Sequence, residues 1–217
     1  MNSAKRSLSV GVLSLMLAFL FQAQVQRPLP STQARPAAAA AAPAQQPSLR
    51  FAILGDTGTG TKPQYEIASR LAGQRAAFPF EFVIMLGDNM YGGESARDFQ
   101  DKFEKPYQEL LSAGIKFYAS LGNHDLPERQ IVYKPFNMGG QRYYTFKPKE
   151  GVRFFALDSN YMDKKQLDWL DKELKSSGSE WKICFFHHPL YSSGEKHGSV
   201  PPLLFFFDYV VPWRCNQ

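Results

Sequence analysis

From Leu49 onward the chain alternates short apolar runs with polar stretches, and each run has the length and residue preference of a β-strand. LRFAIL (49–54), EFVIML (81–86), IKFYASL (115–121), RYYTF (142–146), VRFFAL (152–157) and WKICFF (181–186) are rich in β-branched and aromatic residues. Helical patterns lie between them: from Pro63 to Ala76, from Ser95 to Ala113, and over DKKQLDWLDKELKSS, where Leu167, Leu170 and Leu174 recur on one face. Alternating strands and helices predict an α/β class. Near-continuous apolar runs such as FVIML predict strands covered on both faces.

The chain ahead of Leu49 has a different character. Lys5 and Arg6 precede an apolar run from Leu8 to Phe21, the order of a secretory signal and too short for a comfortable membrane span. Residues 1–24 are therefore expected to be a signal peptide or, if uncleaved, an N-terminal anchor, and the protein secreted or periplasmic. Residues 25–48 are rich in Pro, Ala and Gln without aromatics and read as a linker. One domain is expected over 49–217, with enough apolar material (44% hydrophobic overall) for a core.

Charge narrows the partners. The formal net charge of +5 originates in the leader: residues 1–48 carry four basic and no acidic side chains, leaving 21 basic against 20 acidic in the remainder. A polyanion-binding surface is not supported, so no nucleic-acid partner is expected, and no membrane unless the N-terminal segment stays attached. Of the two cysteines, Cys184 is flanked by Ile183, Phe185 and Phe186 and reads as a buried free thiol, with no disulfide to Cys215 implied.

The chemistry sits where the strands stop. FAIL runs into Gly55-Asp56-Thr57-Gly58, VIML into Gly87-Asp88-Asn89-Met90-Tyr91, YASL into Gly122-Asn123-His124-Asp125, and CFF into His187-His188-Pro189. In an open α/β sheet the crevice beyond the carboxyl ends of the strands collects ligands, so these loops are expected to converge. A glycine before each of the first three polar residues is expected to let the backbone turn and carry the side chain to the rim. Singly, each motif is an ordinary turn or cap. Together they offer carboxylate, carboxamide and imidazole donors, a mixture suited to borderline divalent or trivalent transition metals. One carboxylate bridging two ions roughly 3.5–4 Å apart is what in-line hydrolysis of a phosphate ester requires. His124 is placed to protonate the leaving oxygen and Asp125 to orient its ring. Loop residues Tyr133, Asn137, Met138 and Arg142 are candidates for the cleft lining.

The series GDTG, GDNMY, GNHD and FFHHP resembles the calcineurin-like metallophosphoesterases, and within them the purple acid and tartrate-resistant acid phosphatase branch, singled out by Tyr91 three residues after Asp88. The resemblance implies a β-sandwich flanked by helices in α/β/β/α layers. It implies hydrolysis of a small phosphate monoester substrate by metal-bound hydroxide, with two ions, Fe(III) plus a divalent Fe, Zn or Mn. Asp56 and Tyr91 are implied on the iron, Asp88 as the bridge, and Asn123 and His187 on the second ion. His124 is implied against the substrate phosphate and His197 as a second substrate-facing histidine. His188 matches the motif less well than His187. A phosphodiesterase or nucleotidase of the same superfamily, or a non-catalytic fragment, are the competing readings. The resemblance also implies a later Gly-His-x-His loop; after Ser199 the chain reads PPLLFFFDYVVPWRCNQ instead, so the second half is expected to be incomplete after about residue 199 and activity impaired.

Overall fold

Period-two alternation decides which way each strand faces, and here it sorts the apolar residues into three layers of core. The computed structural model describes residues 48–193. The signal and linker expectations for residues 1–47, His197, Cys215 and the expected incompleteness after about residue 199 lie outside them.

The first sheet is parallel, in the order β1 (Phe51–Leu54), β2 (Phe82–Leu86), β3 (Lys116–Ser120). The second is mixed: β4 (Tyr144–Lys149) is antiparallel to β5 (Val152–Ala156), which is parallel to β6 (Trp181–Phe185). All six expected strands form, β4 displaced a few residues toward the C-terminus. FVIML is buried on both faces as predicted. Phe82 and Ile84 join Phe154, Ala156 and Phe185 between the sheets, while Val83 and Met85 face the opposite way with Phe117 and Ala119. The rings interlock across the sandwich, Phe82 meeting Phe154 edge-on at 5.5 Å and Tyr118 stacking on Phe146 at 3.7 Å. Fully burying a side chain of this size stabilises by roughly 1.5–3 kcal/mol.

Helices close both outer faces. α1 (Lys62–Gln74), with Pro63 in its first turn, lays Ala68 and Ala72 against the first sheet. The pattern from Ser95 to Ala113 is broken where one helix was expected. Ser95 and Asp98 form a capping box for α2 (Ala96–Phe99), a π turn follows over Gln100–Glu104, and α3 (Gln108–Ser112) begins after Pro106. Proline has no N–H to return to residue 102, and the carbonyl of Lys102 instead accepts the side-chain amide of Gln64. Phe99, Phe103 and Leu110 still reach the core. On the far side α4 (Lys164–Ser176), capped by Asp163 accepting from the Gln166 N–H at 2.8 Å, packs Leu170 and Leu174 on Phe155 and Leu157. The layers are α/β/β/α, as expected. Cys184 faces α4 and is half-buried instead of buried, on a strand that lies at the edge of its sheet among the described residues. Among the described residues no helix is long and apolar enough to cross a membrane.

Candidate metal centre

Because β1, β2 and β3 run parallel, their carboxyl ends open at one edge, and β6 brings His187 to the same edge from the second sheet. Ligand atoms of Asp56, Asp88 and His187 lie within 4.8 Å of one another. Asn123 Oδ1 is 3.1 Å from His187 Nε2, and the Tyr91 hydroxyl donates to Asp88 Oδ2 at 2.9 Å and Asp56 Oδ1 at 3.1 Å. Together with His124, His188 and Pro189 they line one cavity of ≈ 490 Å³. All five sequence-predicted ligands and His124 are thus brought together.

The expectation for the glycines holds at Gly87, whose φ of 87° lies in the left-handed region and where a Cβ would come within 2.7 Å of Gly122 N. Left-handed backbone falls also on the aspartates themselves, Asp56 at φ 56° and Asp88 at φ 48°, conformations uncommon for non-glycine residues and tolerated best by Asp and Asn. Gly55 is not constrained: a Cβ there would meet only Leu86 Cβ at 3.6 Å. Gly122 is needed for close approach, since a Cβ would lie 2.2 Å from both the backbone N and Oδ1 of Asp88. Gly58 is likewise pressed on the Asn89 carbonyl. The loops are therefore stacked backbone on backbone.

Asp125 does not orient His124. It is buried, and its two oxygens accept from Gly122 N (2.7 Å), Met90 N (3.0 Å), Gln130 Nε2 (2.7 Å) and Asn89 Nδ2 (3.1 Å), tying the second ligand loop to the third. Gln130 passes the tie on to Glu94, whose Oε1 also accepts from Leu126 N at 2.8 Å. Burial pushes both carboxyls, Asp125 and Glu94, above their ordinary range. Asn89 carried a signal, lying between two candidate ligands; Gln130 and Glu94 carried none, since nothing in their local pattern marks them as buried.

The donors fit a pair of ions. The Nδ1 of His187 lies 3.0 Å from the Leu86 carbonyl, a contact that places a proton on Nδ1 and turns Nε2 toward Asn123 and Asp88, the orientation of a metal-binding imidazole. Asp88 faces both halves, Oδ2 toward Tyr91 and Oδ1 3.6 Å from His187 Nε2. Burial, and then the hydrogen bond and charge of Asp88, raise the Tyr91 phenol well above its usual range, so it stays protonated until a cation replaces its proton. The carboxylate, phenol, carboxamide and imidazole groups suit a harder ion beside Asp56 and Tyr91 and a borderline ion beside Asn123 and His187.

None of the four loop residues expected to line the cleft lines this cavity, and of them Arg142 alone lines the cavity beside it. Tyr133 stacks on Phe99 at 4.0 Å and donates to Glu104, Met138 is buried in the core, and Asn137 forms a left-handed turn donating to the Phe117 carbonyl. His188 lines the cavity without joining the cluster; Ser159 Oγ lies 2.8 Å from its Nδ1.

Residues 49–212 match the family model described as calcineurin-like phosphoesterase. Tartrate-resistant acid phosphatase type 5 of Mus musculus is 29% identical, the match covering 71% of this chain and 60% of that protein. Purple acid phosphatase 17 of Arabidopsis thaliana is 26% identical, covering 72% and 56%. The chain thus spans under two thirds of the length of these relatives. GAP50, the anchor in the inner membrane complex of Plasmodium, superimposes with a TM-score of 0.61 at 21% identity, over 77% of this chain and 62% of that one. A dimetal phosphatase from Danio rerio superimposes with a TM-score of 0.56 at 16% identity, over 67% and 71%. These structural matches bear on the fold.

Proposed function

The chain belongs to the calcineurin-like phosphoesterases, and on that premise we propose that it is a phosphomonoesterase of the purple acid phosphatase type, using a ferric and a divalent ion. The observation that carries this reading is the Tyr91 hydroxyl within 3.1 Å of both Asp56 and Asp88, a phenol aimed at the carboxylates where a cation belongs. Asp56, Tyr91 and Asp88 would hold the iron, and Asp88, Asn123 and His187 the Fe, Zn or Mn. When bound, the ions supply positive charge that draws in phosphate and acidifies water at the site.

The protein's own groups do the rest. His124 lines the same cavity with its ring 4.9 Å from that of Tyr91 and its backbone N–H on Asp88 Oδ1 at 3.0 Å. From there it contacts the substrate phosphate and gives a proton to the departing alkoxide oxygen. Asp125 and its donors keep the His124 loop in register with the Asp88 loop. The charged-then-apolar leader supports export to a secreted or periplasmic location.

Metal analysis of the purified full chain, together with its visible spectrum and turnover of an aryl phosphate against a diester, tests the reading. Two ions per chain, a visible phenolate-to-iron band and monoester turnover are expected. A colourless Mn or Zn protein preferring the diester would make it a phosphodiesterase, the activity named for a probable cyclic nucleotide phosphodiesterase from Synechococcus that is 29% identical. Substoichiometric metal without turnover would leave a non-catalytic protein.

A further inference from the structure

A second cavity of ≈ 410 Å³ adjoins the metal cavity of ≈ 490 Å³, and the two share Asn123 and His188 in their walls. The far wall is built from Arg142, Ser159, Asn160 and Tyr161. We propose that this cavity is the leaving-group subsite, and that Arg142 selects phosphate monoesters whose leaving group carries a second anionic group, a carboxylate or a further phosphate. The proposal rests on the phosphomonoesterase reading above.

Arg142 is held as a binding group should be. Its Nε and one terminal nitrogen lie 2.7 Å from Oδ2 of Asp158, which is 1% exposed. The face of the guanidinium is covered by the Tyr161 ring, 4.7 Å to the centroid. Asp158 is in turn fixed: its Oδ1 accepts from both the backbone and the side-chain amide of Asn160 at 3.0 Å. Gln166 clamps the same loop, accepting from Asp158 N and donating to the carbonyls of Asp158 and Tyr161. Asn160 also donates to the Gly122 carbonyl at 3.1 Å, joining this wall to the loop that carries Asn123 and His124.

What remains for a ligand follows from these commitments. Among the described residues no group accepts from the second terminal nitrogen of Arg142, whose side chain is 37% exposed. Among the described residues Asp125 is the one carboxylate in the lining, and its two oxygens are filled by four donors and offer no competing acceptor. Because Arg142 and Asp158 neutralise each other, selection comes from an oriented, charge-assisted donor and not from net charge. Such a donor rewards an anionic acceptor over a neutral one. Little side-chain freedom is lost on binding, since the guanidinium is already immobilised.

The test uses the metal-loaded full chain and two matched pairs of substrates. Phosphoserine against phosphoethanolamine differs by a carboxylate; propane-1,3-diol bisphosphate against its monophosphate differs by a phosphate. At least one pair is expected to show about a tenfold preference for the anionic member, expressed in KM, and the pair that does so identifies the anion. In Arg142→Gln the ratio within that pair falls to near one. Should that variant fail to fold, Tyr161→Ala, which uncovers the guanidinium and leaves the Asp158 pair in place, is expected to cut the ratio about threefold. Equal KM within both pairs for the unaltered protein, or a ratio that survives both substitutions, overturns the subsite. If none of the four phosphates is hydrolysed at all, the phosphomonoesterase reading fails. The same pairs compared by calorimetry then decide the subsite separately, equal affinities counting against it.

Discussion

The Nδ1 of His187 lies 3.0 Å from the carbonyl of Leu86, so the last residue of β2 selects the tautomer of a histidine 101 positions later in the chain. The imidazole is therefore aimed before any cation is present, with Nε2 turned toward Asn123 and Asp88. Replacing it with glutamine removes that nitrogen while sparing the core. Loss of a group acting only through another ligand typically costs 10–100-fold in metal affinity. His187→Gln is therefore expected to weaken zinc binding by more than about 100-fold in calorimetry, with a thermal unfolding midpoint close to that of the metal-free parent. Unaltered zinc affinity would remove His187 from the ligand set.

Tyr91 allows a spectroscopic test that no other residue here offers. Among the described residues its hydroxyl is the sole phenol hydrogen-bonded to Asp56 and Asp88, and its raised pKa means that a cation has to displace the proton. In Tyr91→Phe the iron-loaded protein is expected to lose its visible band while retaining Asp56, Asp88, Asn123 and His187. A band that persists in the phenylalanine variant would place the chromophore elsewhere.

Much of this site is legible before any fold is known, for a physical reason. Parallel strands end at one edge, so polar residues directly after FAIL, VIML and YASL have to meet, whatever their separation in sequence. The helix expected from Ser95 to Ala113 fails at Pro106, a position the chain itself marks. Loops are harder. The stretch after Asp125 has no periodicity, and whether Tyr133, Met138 or Arg142 turns to the cleft depends on the 3-10 turn at Lys134–Phe136, which seats Phe136 in the core. Nor does anything local reveal that Asp125 serves the backbone of two loops instead of the neighbouring His124.

The glycines of the loops separate sharply in what they require. Gly122→Ala drives a Cβ to 2.2 Å from the backbone and carboxylate of Asp88, contacts that only movement of the loop relieves. It is expected to destabilise by about 3 kcal/mol and to lower metal affinity by displacing Asp88. Gly55→Ala, equally adjacent to a candidate ligand, meets nothing closer than 3.6 Å and is expected to change stability by about 0.5 kcal/mol or less. Urea denaturation of the two metal-free variants makes the comparison. Equal effects would mean that the loops are not stacked as described.

Glu94 provides the pH dependence. It is 5% exposed, its Oε1 accepts from Leu126 and Gln130, and its Oε2 has no partner, so burial disfavours the charged form and raises its pKa above the ordinary 4.5. The hydrogen bonds from Leu126 and Gln130, and after them the charge of Lys102, draw it back only in part. A carboxyl with a raised pKa in the folded state binds its proton more tightly there than in the unfolded chain. Its stabilising contribution is complete below pH 4.5 and is lost as pH climbs through the folded value. Glu94→Gln keeps an oxygen for Leu126 and Gln130 and cannot ionise. The two metal-free proteins should therefore be about equally stable at pH 4. The variant should gain on the parent by about 1.4 kcal/mol for each pH unit separating the two pKa values, and hold that lead above them. Urea midpoints from pH 4 to 8 follow the gap. A gap independent of pH, or one that closes as pH rises, would show that Glu94 is ionised in the folded protein and that its place between Leu126 and Gln130 holds a charge.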